Sequence, residues 1–289
     1  VTPTPDFRCA ASSVADDEPM AGSAPTETDW LLVEHPGPWG RKAVAESNLA
    51  DEVREHLAGL EGVRVQLIRR HGGVSGPGVR VFRAHLDPAG TGTTVETAVL
   101  ADAAELLGDV AWQPYDGHLW LVCTNGRRDV CCAELGRPVA GALSARWHEE
   151  TWETTHLGGH RFSGTLLALP SGVALGRLDA DTAVAACHDL ALGQVPIAHS
   201  RGRAGAAPAA QVAELHLRTE LGLTGLDEVA VGSVADEDGT SVVTLHASGT
   251  AYDVRVGGRA SEPRRQSCAD LATKPGRAYD VTQWVRHEG

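Results

Sequence analysis

The run His118-Leu-Trp-Leu-Val-Cys123-Thr-Asn-Gly-Arg-Arg-Asp129-Val-Cys131-Cys132 decides how the rest of the chain is read. Leu119 to Cys123 is an unbroken apolar stretch of strand length, and Thr124 to Asp129 is a charged turn that contains Gly. Beyond it Val130, Leu135, Val139 and Leu143 spread through positions 130–146 as the buried stripe of a helix. Two cysteines nine positions apart, Cys123 and Cys132, thus flank a turn between a strand and a helix.

Downstream the pattern continues with a strand-like stretch at 151–155, the loop His156-Leu-Gly-Gly-His160 and the apolar run ending at Leu169. Pro170-Ser171-Gly172 then turns the chain into 173–178, a hairpin signal, and 181–192 reads as a helix capped by Asp181. Strand, helix, strand, hairpin, helix is the thioredoxin order. Upstream, Trp30-Leu-Leu-Val-Glu34 is another strand-like run, ended by His35-Pro-Gly-Pro-Trp39-Gly40. A helix behind Ser47 over 47–60, strands at 63–69 and 79–85 and a helix at 100–107 follow. Trp30-Leu-Leu-Val echoes Leu119-Trp-Leu-Val, so the two halves read as a degenerate duplication.

The expected organisation is therefore α/β: an irregular lead-in over 1–29, an N-terminal degenerate thioredoxin-like domain over 30–110, a second thioredoxin-like domain over 111–198, and a C-terminal α+β appendage over 199–289 packed on the core. In the appendage a helix is expected at 209–221, strands near Val229, Val242 and Val254, and a short helix over 279–285 that packs Trp284 against the body.

With 289 residues the chain can bury a sizeable core without covalent help, and six cysteines are too few for a disulfide scaffold. Spaced Cys and His residues in such a chain point to metal or redox chemistry. A net charge of -13 argues against nucleic acid and against an anionic membrane, and favours a basic protein partner. No run of 18 apolar residues occurs, and the first 30 residues lack the order of a secretory signal, so the expectation is a cytoplasmic protein. The Gly-rich stretch from Arg69 to Gly78 matches neither the Walker nor the dinucleotide pattern, so no nucleotide site is expected.

Cys123 and Cys132 with His156 and His160 make a Cys2His2 donor set suited to zinc or to a 2Fe-2S cluster. Eight residues between the cysteines exceed the tight knuckle of most structural zinc sites. Spacing alone leaves both open. Cys9, Cys187 and Cys268 read as small buried residues without function, and His148, His188, His199 and His216 as solvated or capping histidines.

Cys123 to Cys132 together with His156-Leu-Gly-Gly-His160-Arg-Phe-Ser-Gly resembles the sucrase/ferredoxin-like family, which includes the yeast actin-patch-distribution protein. Trp30 to Gly40, Leu169 to Leu178 and Gln211-Val-Ala-Glu214 extend the resemblance, here to actinobacterial members, over most of the chain. It implies a thioredoxin-like ferredoxin domain holding a 2Fe-2S cluster on two cysteines and two histidines. In eukaryotic members the second cysteine stands three positions after the Asp of an Arg-Asp pair; from Asp129 that count reaches Cys132 and leaves Cys131 as a neighbour. The cysteines would share one iron, and His156 and His160 the other.

The function expected is that of a one-electron carrier with a raised, proton-coupled potential, served by an unidentified reductase as donor and an unidentified protein as acceptor. Two other readings stand beside it: a zinc-stabilised adaptor, and a thiol redox enzyme using Cys131 or Cys132, which the lack of a Cys-x-x-Cys arrangement weakens.

Overall fold

In the computed structural model, which describes residues 7–73, 75–90 and 92–287, the lead-in is not wholly irregular. Helix α1 (Cys9–Ala15) buries Cys9, Ala10 and Ser13 against the body. Its small residues carry no apolar periodicity, so only the tertiary contact reveals it. Residues 1–6 of the expected lead-in lie outside the described residues.

The first half comprises β1 (Asp29–Glu34), α2 (Asp51–Ala58), β2 (Val63–Arg69), β3 (Val79–His85), β4 (Thr94–Leu100) and the short β5 (Gln113–Pro114). The second comprises β6 (Leu119–Cys123), α3 (Val130–Arg146), β7 (Thr151–Thr154), β8 (Leu166–Leu169), β9 (Val173–Leu175) and α4 (Ala180–Ala191). The fold is α/β and thioredoxin-like, and the strand pairing repeats. Strand β1 lies parallel to β2 and antiparallel to β3, which pairs with β4; β6 lies parallel to β7 and antiparallel to β8, which pairs with β9. The two halves meet where β2 runs antiparallel to β7, through Ile68 opposite Thr154 and Arg69 opposite Glu153. With β10 (Ser200–Arg203) added, one ten-stranded sheet results, ordered β10-β9-β8-β6-β7-β2-β1-β3-β4-β5.

Every residue of β6 is buried, as expected for a strand covered on both faces. Trp30, Leu32, Phe82, Leu121, Trp152 and Leu167 share a single core across both halves. On the opposite face Leu31 and Val33 pack with Val53 and Leu57 of α2, while Trp120 and Val122 pack with Val139 and Leu143 of α3 and with Leu190 of α4. Beyond α5 (Pro208–Leu221), strands β11 (Val229–Glu237), β12 (Thr240–Ala247), β13 (Thr250–Ala260) and β14 (Arg277–Arg286) form a second, antiparallel sheet.

Several local expectations are corrected. The chain over 279–285 is part of β14, not a helix; its β-branched and aromatic residues complete the sheet beside the long β13. Strand β4 was not expected, and the helix at 100–107 shrinks to a 3-10 turn, Ala103–Leu107, because Leu100 still belongs to the strand and Asp102 caps the turn by accepting from the Ala104 amide. Helix α2 starts only at Asp51, since the Ser47 hydroxyl donates to the Val44 carbonyl instead of capping it. The cap of α4 is Asp179, in a reciprocal box with Thr182, and not Asp181. Among the described residues no helix is long and apolar enough to cross a membrane.

Candidate metal centre

Cys123 is the last residue of β6, and Cys132 lies in the first turn of α3. The turn between them is held from inside: Asp129 takes the N-cap position, its Oδ1 accepting from the Cys131 amide at 3.0 Å. Gly136, one turn further into α3, lets the helix lie almost on the strand; a methyl group there would stand 2.0 Å from the Cys123 carbonyl oxygen. Both cysteines are 1% exposed.

His156 and His160 follow β7. Gly158 and Gly159 between them have φ of 87° and 68°, backbone angles that side chains with a Cβ resist. The loop brings His156 Nδ1 to 3.9 Å from Cys123 Sγ and 3.8 Å from Cys132 Sγ. The donor atoms of Cys123, Cys132 and His156 all lie within 4.8 Å of one another, a group able to hold a metal ion. His160 stands one ring further out: its Nδ1 is 3.3 Å from His156 Nε2, and its Nε2 donates to the Gln266 carbonyl oxygen at 2.5 Å. Three of the four expected donors therefore converge, and the fourth reaches the cysteines through the third.

The electrostatics suit a soft cation. Cys123, hydrogen-bonded to Cys132 and then to His156, is held well below the ordinary thiol range, while Cys132 is pushed up by its bond to Cys123 and by burial. Burial, and then the neighbouring His156, lower the pKa of His160, which keeps its imidazole in the neutral form a metal requires. Thiolate and imidazole are the ligands of iron-sulfur clusters and of zinc, so the donor set fits such a group.

Several supports carried no signal in the sequence. The His156 carbonyl oxygen accepts from Arg64 Nη2 at 3.0 Å and from Gln66 Nε2 at 3.3 Å. The Gly158 carbonyl accepts from Arg201 Nη1 at 3.2 Å; Arg201 also grips Ser23, and burial pushes its pKa down to about 10. These residues lie far from the loop in sequence and meet it only through the sheet. Trp39 locks the turn after β1, its Nε1 donating to the His35 carbonyl and its ring lying under Arg69. Cys131, adjacent to Cys132 on α3, turns the other way, toward Cys9 and Cys268. Cys187 lies in the apolar core between α3 and α4.

A family model described as sucrase/ferredoxin-like matches residues 20–202, more than half of the chain and a span within which all four expected ligands fall. No match was found among curated proteins or among solved structures.

Proposed function

The chain belongs to the sucrase/ferredoxin-like family, and from that premise we propose that Cys123, Cys132, His156 and His160 hold a 2Fe-2S cluster with which the protein works as a one-electron carrier. The observation that carries the reading is the convergence of two buried thiols and a histidine ring from three separate segments, with a second histidine against the first. When bound, such a cluster takes up and gives back a single electron.

The residues set how readily that happens. Four thiolates leave an oxidised 2Fe-2S centre at a charge of about -2, whereas two thiolates and two neutral imidazoles leave it near zero, so an electron is accepted more easily. Rieske centres show the direction, at roughly -150 to +300 mV against about -400 mV for plant-type ferredoxins. His160 fixes its own tautomer: Nε2–H is spent on the Gln266 carbonyl, so Nδ1 carries the lone pair. A ligand nitrogen whose partner nitrogen keeps a proton couples charge at the metal to that proton. Arg64, Gln66 and Arg201 hold the two loop carbonyls and keep both rings in place. The acidic chain suits a basic reductase or acceptor.

Anaerobically purified protein is expected to be coloured, to contain two irons and two sulfides per chain, and to bleach with dithionite. Exchanging His160→Cys is expected to retain the cluster while lowering its potential and flattening its pH dependence. A colourless protein with one zinc on Cys123 and Cys132 would replace this reading by that of a zinc-stabilised adaptor.

A further inference from the structure

Beside Cys132, at the start of α3, a second set of donors meets, in which Cys9 and Cys268 come from segments far apart in the sequence. Cys9 opens α1, Asp129 caps α3 and Cys131 stands in its first turn, and Cys268 lies in the irregular connection between β13 and β14. Cys131 Sγ is 3.3 Å from Cys268 Sγ, Cys268 Sγ is 3.5 Å from Cys9 Sγ, and Cys9 Sγ is 3.5 Å from Asp129 Oδ1. All four donor atoms lie within 4.8 Å of one another.

We infer that Cys9, Cys131, Cys268 and Asp129 form a second metal site, built for a single thiophilic divalent ion of the zinc type, separate from the Cys123, Cys132, His156 and His160 set.

Geometry and charge both lead there. Four ligands placed tetrahedrally about zinc, with Zn–S near 2.3 Å and Zn–O near 2.0 Å, stand about 3.8 Å apart between sulfurs and about 3.5 Å apart between sulfur and oxygen. The observed spacings need to open by only a few tenths of an ångström. Asp129 is 4% exposed and has no ion-pair partner among the described residues; its carboxylate is met by the Cys131 amide and, at 2.8 Å, by the Cys268 amide. A buried carboxylate ringed by sulfur calls for a cation. A disulfide would use two of the sulfurs and leave the third thiol and the carboxylate without a counter-charge.

The surroundings close the site. Phe7 packs on the sulfurs, and the Arg265 guanidinium stacks over its ring at 3.8 Å. The apolar cluster here is small, so a bound ion would add to the ion pairs Arg8–Glu134, Arg161–Glu18 and Arg264–Asp16 in holding α1 and the β13–β14 connection together on α3. It would also fix Gln266, two residues before Cys268, whose carbonyl oxygen accepts from His160. Cys9 Sγ itself points at the His160 carbonyl oxygen at 3.7 Å.

Metal analysis of the intact, anaerobically purified chain tests this. One zinc per chain is expected beyond the iron; Cys9→Ser and Cys268→Ser should each lose the zinc and keep the iron, whereas His156→Ala should lose iron and keep the zinc. As a check that needs no variant, the wild-type chain stripped of zinc and given Co2+ should show intense thiolate-to-cobalt absorption with tetrahedral d–d bands. Absence of zinc together with failure to take up Co2+ would overturn the inference. So would an intact mass 2 Da low from a disulfide among Cys9, Cys131 and Cys268, or zinc that disappears with His156→Ala.

Discussion

Replacing Gly136 by Ala sets two effects of opposite sign against each other. In a helix interior, Ala is favoured over Gly by about 1 kcal/mol, so on α3 alone the variant would be the more stable protein. The new methyl, however, would stand 2.0 Å from the Cys123 carbonyl oxygen and 3.1 Å from its carbon. An unstrained carbon-to-oxygen contact needs about 3.4 Å, so helix and strand must separate by roughly 1.4 Å. Both contacting groups are backbone, and no rotamer change relieves them. Overpacking of this kind typically costs about 1–3 kcal/mol or more, which outweighs the propensity gain. The displacement falls where it matters, because Cys123 belongs to the strand and Cys132 to the same end of the helix. The variant is expected to melt several degrees below the wild type and to lose iron or visible absorbance in proportion. Thermal melts followed by circular dichroism, with iron counted on the same samples, measure both. A Gly136→Ala protein that melts higher than wild type with full iron content would refute the close approach of α3 to β6.

Glu214, buried between Arg203 at 2.9 Å and Arg218 at 3.0 Å, is pushed up in pKa by burial, but the two guanidiniums outweigh this and hold it below the ordinary carboxylate value. Its contribution is then fully present above about pH 4.3 and is lost as pH falls through the lower folded value; Glu214→Gln should cost about 3–5 kcal/mol at pH 7 in urea melts, and the gap to wild type should narrow toward pH 3. Burial raises the pKa of the Cys187 thiol, so iodoacetamide at pH 8 should leave it unmodified in the folded protein, and Cys187→Ala should cost about 1 kcal/mol without changing metal content. Arg201→Met leaves the Gly158 and Ser23 carbonyls without their donor, at about 1–3 kcal/mol, and should speed bleaching in air; Arg201→Lys, which lacks the planar fork, should not restore the wild-type rate.

What could be read from the residues was what is written locally. Leu119 to Cys123 announces a strand covered on both faces, and Pro170-Ser171-Gly172 announces the turn between β8 and β9. The spacing within each ligand pair likewise belongs to one turn or one loop. Tyr279, Val281, Trp284 and Val285 were ambiguous between a helical and an extended period, and only the presence of β13 alongside decides for a strand. Cys9 and Cys268 are 259 positions apart, and neither has a donor at a recognisable interval; their meeting depends on how the ends of the chain close over α3. Arg64, Gln66 and Arg201 were missed for the same reason: a loop carbonyl has no sequence signature for the residue that will bond it.

The seam between β2 and β7 bears on how this protein can be dissected. Two ladder pairs form it, reinforced by the Thr155 amide donating to the Leu67 carbonyl and by Glu153 paired to Arg69 and His71, and it turns two similar four-stranded arrays into one continuous sheet. A fragment cut near residue 110 to isolate the four expected ligands would bare the outer hydrogen-bonding groups of β7, an open edge ready to accept any unpaired strand. Two such fragments could satisfy each other there, each standing in for the half the other has lost. The excised piece would then report on self-association as much as on the proposed electron transfer, since the first half, which supplies none of those four ligands, covers that edge in the whole chain.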